Sequence, residues 1–230
     1  MVRTLNSVVV DVDDTLVSTH RSMQGVWREV LGLEIPLEDI EALSLEQVFM
    51  KFASPKQKTR ANELQKQFWD IVLCLDDVGF ELLKLHEPVP FAADVLQQWS
   101  KHCMLVYFTG RPETARDMTL DELERFRFPT SNVQLVMFDV EDFARVRGVN
   151  PSGPTLVDAR FRLFSSISQK YNVVRVVDDY PSYFPIYERF RVPDRIGLLR
   201  QKRYSSQQYI EKGATRIVES WEQLRDDLPR

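Results

Sequence analysis

The chain has 230 residues, 43% hydrophobic and 28% charged, with 30 Lys+Arg against 34 Asp+Glu and a formal charge of −4. This profile belongs to a globular chain, long enough for one large domain or two small ones, and excludes a disordered or low-complexity one. The longest stretch lacking Asp, Glu, Lys and Arg, Phe128–Phe138, is far short of the ~20 residues that span a bilayer, and Met1–Asn6 lacks the apolar length of a secretory signal, so a cytoplasmic protein with no membrane partner is expected. Cys74 and Cys103 form no CxxC, and His20, His86 and His102 never fall at i, i+4, which argues against a disulfide framework and a zinc site. No glycines fit GxGxxG. Gly148-Val-Asn-Pro-Ser-Gly153 has Walker spacing, but Pro154 and Thr155 follow where Lys and Ser/Thr belong, so it reads as a Pro-rich surface loop.

In chain order, Leu5–Asp11 comes first: a run holding Val8, Val9 and Val10 that suits a strand buried on both faces. From Leu16 to about Pro88 the pattern becomes helical. Met23, Val26, Trp27, Val30 and Leu31 repeat at i, i+3, i+4, i+7 and i+8, with Gly32 placed as a C-terminal stop. Ser44-Leu-Glu-Gln47 has capping-box spacing, and Leu64, Phe68, Ile71 and Leu75 form a further stripe. Trp27, Phe68 and Trp69 read as the core of this segment, and His20 as a solvent-facing helix start.

Beyond it, strands are predicted at Met104–Phe108, Val133–Phe138 and Val173–Val177, with a weaker one at Ile196–Leu199. Helices are predicted at Phe91–Lys101, Leu120–Phe126 and Asp158–Tyr171. Alternating strand and helix predicts an α/β fold with a Rossmann-like, doubly wound, mainly parallel sheet, whose ligands sit at the carboxyl ends of the strands. The expected domains are therefore a core of 1–16 plus 89–230 and a small all-helical insert at 17–88.

The chemistry gathers at the strand ends. Asp11, Asp13 and Asp14 close the first strand, where uncompensated like charges repel and desolvation adds to the cost. A divalent cation would relieve this, and an oxygen-only donor set points to Mg²⁺. Residues two apart on a strand share a face, so Asp11 and Asp13 can converge while Asp14 points elsewhere. Met104–Phe108 runs into Thr109-Gly110-Arg111-Pro112, offering a hydroxyl and an unencumbered backbone for a phosphate. Val173–Val177 ends in Asp178-Asp179. Asp76-Asp77 lies on a helical stripe and Asp226-Asp227 in a polar C-terminal helix candidate, and both pairs read as solvated. Glu188–Arg203 carries six Lys/Arg that could follow a nucleic-acid backbone, although the acidic overall balance favours a plain solvated face.

Asp-Val-Asp-Asp-Thr at 11–15, Thr109-Gly110-Arg111 and Asp178-Asp179 resemble the first, second and fourth motifs of the haloacid dehalogenase (HAD) superfamily, in order, spacing and strand-end placement. The helical insert takes the position of that family's cap. Thr-Gly-Arg-Pro-Glu with Thr119 and Leu123 is also similar to a branch holding polynucleotide 3′-phosphatases and nucleotidases, while Thr119-Leu-Asp-Glu122 has capping-box spacing of its own. The family's third motif, usually Lys, departs here. Lys170 would sit on the order of 15 Å along its helix from the site edge, so Arg160 is the expected cation, with Arg162 behind it.

The resemblance implies a Mg²⁺-dependent phosphatase acting on a small phosphate monoester. Asp11 would be the nucleophile and Asp13 the general acid/base. Thr109, Gly110 and Arg160 would bind the phosphate. The Asp11 carboxylate, the Asp13 main-chain carbonyl, Asp179 and Asp178 would hold the metal, Asp179 directly. A cap that closes over the site excludes bulk water and favours a small ester such as a sugar phosphate, phosphoglycolate or a nucleotide. The alternatives are a polynucleotide 3′-phosphatase or nucleotidase, a phosphomutase, and a non-catalytic domain that binds a phosphorylated ligand. The oligomeric state is left open.

Overall fold

A computed structural model describes residues 6–74, 76–139 and 156–229. Leu5, Leu75 and the Gly148–Thr155 loop lie outside these residues.

Six strands form one sheet: β1 (Asn6–Asp11), β2 (Met104–Pro112), β3 (Val133–Phe138), β4 (Asn172–Asp178), β5 (Asp194–Leu198) and β6 (Arg216–Val218). All its pairings are parallel and the order is β3-β2-β1-β4-β5-β6. The apolar runs follow from this topology. Val8, Val9, Val10, Val106, Phe108, Val176 and Val177 are fully buried because helices cover both faces, and each such side chain contributes roughly 1.5–3 kcal/mol. The helices Ala92–Trp99, Arg116–Arg125, Leu156–Lys170, Phe184–Arg189 and Ser206–Glu211 alternate with the strands. The order reverses at β1, so its carboxyl end faces a crevice between β2 and β4, where open α/β sheets bind ligands.

β6, which the sequence pattern does not reveal, has three residues, too few to show a period. Two expectations are corrected. Thr119 is not a helix cap: the helix starts at Arg116, and the Thr119 hydroxyl donates back to the Ala115 carbonyl at 2.8 Å. No helix carries Asp226-Asp227, since the last helical turn, Trp221–Leu224, ends before it, and Asp227 is ion-paired rather than solvated.

The chain divides into two units. The α/β unit comprises residues up to Leu16, Pro88–Arg200 and from Tyr204 onward, and the helical unit comprises Val17–Glu87 with Gln201–Arg203. Residues 201–203, expected in the α/β core, join the helices because Lys202 Nζ lies 2.6 Å from Glu41 and Arg203 Nη1 donates to the Leu43 carbonyl at 3.2 Å.

Within the helical unit, His20–Leu31 ends at Gly32, whose φ of +69° suits glycine and whose N–H bonds the Arg28 carbonyl at 2.8 Å. Both halves of the Ser44/Gln47 capping box form. Trp27 packs on Phe68 with ring centroids 4.6 Å apart, and Trp69 meets the edge of Phe68. Exposed Asp76 caps the helix Asp77–Leu83 by accepting from the Gly79 N–H at 2.8 Å. His20 does not face solvent, because its Nδ1 lies 3.6 Å from Glu41 at 15% side-chain exposure. Among the described residues no helix is long and apolar enough to cross a membrane.

Candidate functional site

β1 delivers Asp11 at its last residue, and β4 delivers Asp178 at its last residue with Asp179 just beyond. Because the strands are neighbours, ligand atoms of these three carboxylates come within 4.8 Å of one another, all buried. Burial first, then the Asp178 charge, push the Asp11 carboxyl well above the usual carboxylate range, while Arg160 pulls it back. Asp14, in a left-handed turn at φ +58°, directs the chain away from the strand, and Asp is one of the few residues that tolerate that region. Thr15 then returns, its hydroxyl donating to Asp179 Oδ1 at 3.1 Å. The Thr15 carbonyl is held by the indole N–H of fully buried Trp221 at 2.8 Å, and the Tyr209 hydroxyl bonds the Asp179 carbonyl.

Arg160, on the helix Leu156–Lys170, reaches this cluster, whereas Arg162 and Lys170 on the same helix are exposed. Its Nη2 donates to Asp11 Oδ1 at 2.9 Å and to Asp178 Oδ2 at 2.6 Å. Burial opposes its charge, and its interactions with Tyr187, Asp178 and Asp11 overcome that cost. The guanidinium lies 4.2 Å from the Phe108 ring centroid and 4.1 Å from that of Tyr183, and Nε donates to the Tyr187 hydroxyl at 3.0 Å. A planar cation can be enclosed in this way between two rings and a lysine cannot, which accounts physically for Arg at this position. The Tyr187 hydroxyl also donates to Asp178 Oδ2 at 2.6 Å, and the Tyr180 N–H to Oδ1 at 2.8 Å. Asp178 thus accepts three hydrogen bonds.

Asp13 stands apart from the triad. Its Oδ2 accepts from Thr109 Oγ1 at 2.9 Å, and its Oδ1 accepts from Arg111 Nε at 3.0 Å and Nη2 at 2.8 Å. Thr109 and Arg111 lie where β2 loses its regular register between Phe108 and Pro112. Arg111 is 7% exposed, with Nη1 2.6 Å from Glu122 and 3.2 Å from Thr119 Oγ1. Burial would lower its pKa, and the Asp13 and Glu122 carboxylates raise it beyond the ordinary value. A Cβ built on Gly110 would meet nothing within 4 Å, so the backbone there borders open space.

The structure therefore brings Asp11, Asp178, Asp179 and Arg160 together, and sets Asp13 with Thr109 beside Gly110. The sequence reading missed Arg111, Glu122, Tyr183, Tyr187 and Trp221. A signal existed for two of them, since Tyr183 and Tyr187 are spaced i, i+4 directly after Asp178-Asp179. The basic run is largely committed within the molecule. Arg195 donates to the Gly213 and Val192 carbonyls, Arg189 lies over Phe161, and Lys202 and Arg203 engage Glu41 and Leu43.

A divalent cation fits the triad. Three carboxylates gather in a buried, oxygen-only donor set that suits a hard ion, and Arg160 bonds two of them.

No family model matches the chain, and no curated protein does. Solved structures do. The chain is similar to a predicted phosphatase from Clostridium acetobutylicum over 96% of its own length and 97% of that chain, at 16% identity and a TM-score of 0.60. It is similar to a haloacid dehalogenase-like family hydrolase from Streptococcus pneumoniae over 96% of each chain, at 13% identity and a TM-score of 0.60. A third, a HAD family hydrolase from Deinococcus radiodurans R1 with bound phosphate and sodium, is matched over 96% of this chain and 94% of that one, at 15% identity and a TM-score of 0.59. The likeness establishes the fold: a Rossmann-like α/β fold shared with these structures.

Proposed function

We propose that the chain is a Mg²⁺-dependent phosphomonoesterase that works through an aspartyl-phosphate on Asp11. The observation that carries this reading is the convergence of Asp11, Asp178 and Asp179, buried and over-supplied with negative charge, at the carboxyl edge where the strand order reverses. The Deinococcus radiodurans neighbour was solved with bound phosphate and sodium, which supports a phosphorylated ligand and a cation for a chain of this fold. Asp11, the Asp13 main-chain carbonyl and Asp179 would hold the ion. Asp178, already accepting from Arg160, Tyr187 and Tyr180, would chiefly orient its neighbours. When bound, Mg²⁺ supplies positive charge that offsets the carboxylates and the transferring phosphoryl group.

Asp11 attacks phosphorus, and the bond from phosphorus to the ester oxygen breaks as Asp13 gives that oxygen its proton. Water then attacks the aspartyl-phosphate and loses a proton to Asp13. The bond from phosphorus to Asp11 breaks, releasing phosphate and restoring the carboxylate. Arg160 pulls the Asp11 pKa down against burial and the neighbouring carboxylates and keeps the carboxylate aimed. At 1% exposure it acts on carboxylates, and the phosphate falls to the Thr109 hydroxyl and the backbone at Gly110. A small ester is favoured over a polynucleotide because most of the basic run is engaged within the molecule.

The test is phosphate release from sugar phosphates, phosphoglycolate, nucleotides and a 3′-phosphorylated oligonucleotide, with Mg²⁺ and with chelator. Mg²⁺-dependent release from a small ester is expected, and Asp11→Asn should lower it on the order of 10⁴-fold or more with the melting transition intact. Release that survives in Asp11→Asn, or that ignores the metal, would overturn the reading. Preference for the oligonucleotide would move the substrate to the polynucleotide class.

A further inference from the structure

Resting on the assignment of Asp13 as the proton donor and acceptor, we infer that Arg111 is a positioning residue that keeps Asp13 aimed while Thr109 changes partners. A threonine hydroxyl has one proton to give, and here that proton goes to Asp13 Oδ2 at 2.9 Å. Its acceptor side is also in use, taking the Arg111 backbone N–H at 3.1 Å. A phosphate settling in the open space at Gly110 therefore competes with Asp13 for the Thr109 proton. Once the phosphate accepts that hydrogen bond, Asp13 Oδ2, carrying the proton in the substrate complex, turns to the leaving oxygen and donates it, and Oδ1 stays with Arg111.

Only a fixed guanidinium can hold Asp13 through this exchange. Nη2 bonds Oδ1 at 2.8 Å and Nε is shared between Oδ1 at 3.0 Å and Oδ2 at 3.3 Å, so the carboxylate keeps its plane when Thr109 lets go. Arg111 is braced from behind, with Glu122 2.6 Å and Thr119 Oγ1 3.2 Å from Nη1, and Thr119 is tied in turn to the Ala115 carbonyl at 2.8 Å. The brace stands on the helix Arg116–Arg125 and is independent of the metal triad. A lysine could supply charge at this position, without the side-on two-point contact.

The experiment compares two esters in single-turnover kinetics: an alkyl phosphate, whose departing oxygen needs a proton, and an aryl phosphate of an acidic phenol, which leaves unaided. The proteins are wild type, D13N, R111K and the double variant R111M/E122Q, which removes the guanidinium without stranding Glu122 as a buried charge. Both Arg111 variants should slow alkyl-ester cleavage on the order of 100-fold, the scale of a lost general acid, while the phenol burst slows less than about tenfold, as in D13N. If D13N is selective for the leaving group and the Arg111 variants slow both esters alike or neither, the positioning role is overturned and the acid/base role of Asp13 stands. If D13N itself shows no selectivity, the assignment of Asp13 falls, and this inference falls with it.

Discussion

The two edges of the sheet carry similar residues and differ in charge balance. At the amino edge of β5 and β6, Arg175 donates to Asp194 at 2.6 Å and to the Asp227 carboxylate at 3.0 Å, and Arg216 donates to Asp194 at 3.0 Å and also pairs with Asp227. Two guanidinium groups meet two carboxylates, and Arg175 lies over Trp99 besides. At the carboxyl edge three buried carboxylates cluster, and Arg160 bonds two of them, Asp11 and Asp178. A balanced network is complete within the chain and fixes its C-terminal segment. The unbalanced one costs stability as it stands, so a further cation is what would complete it. Charge balance separates the structural cluster from the proposed functional one where residue type does not.

The sharpest way to break this comparison is at Arg175. Arg175→Met leaves Asp194 and Asp227 sharing Arg216, at a cost of roughly 3 kcal/mol, the lower end for a broken buried pair because both acids keep some exposure. A melting temperature about 6–12 °C lower is expected, with kcat for the favoured ester changed less than about twofold. A fall in kcat with no loss of stability would show that the amino edge serves the chemistry.

These distinctions were only partly legible in the sequence. The strands could be read because β1, β2 and β4 are buried on both faces, which leaves near-continuous apolar runs such as Val8–Val10. Their acidic ends could be read because Asp11 and Asp178-Asp179 follow directly on such runs. Long-range partners could not. Asp227 looked solvated because Arg175, its partner, lies 52 residues upstream. Arg111 stood inside a recognised motif, but its role depends on Asp13, 98 residues away, and on a Glu122 buried by a helix whose start was misplaced. The misplacement has a local cause: Thr119 and Glu122 have capping-box spacing, yet the 3₁₀ turn at Glu113–Ala115 leads into helix before Thr119 is reached.

A smaller effect sharpens the contrast at the carboxyl edge. With chelator present, Asp179→Asn removes one of the crowded charges and should stabilise by about 1 kcal/mol, raising the melting temperature about 2–4 °C. Mg²⁺ should raise the melting temperature of the wild type, because it binds the native state, and raise that of the variant less. A variant destabilised in chelator, or shifted as far by Mg²⁺ as the wild type, would show that the triad is already balanced without an ion.

The smallest effect is acid-dependent and belongs to Asp227. Partial burial would raise its pKa, but hydrogen bonds from Arg216 and Arg175, which favour the ionised form, outweigh burial and hold it below the ordinary 3.8. A carboxyl whose pKa is lower in the folded state than in the unfolded chain adds stability in full above the unfolded value. That stability disappears as pH falls through the folded one. Asp227→Asn should therefore melt below the wild type at neutral pH, with the gap closing only in acid below about pH 4. The α/β core carrying Asp179→Asn should behave oppositely in chelator, being the more stable at neutral pH and losing that advantage as Asp11, whose pKa burial and the neighbouring charges raise, protonates. Two melting-temperature profiles against pH decide the matter, because a balanced network and an over-charged one must respond to acid with opposite sign.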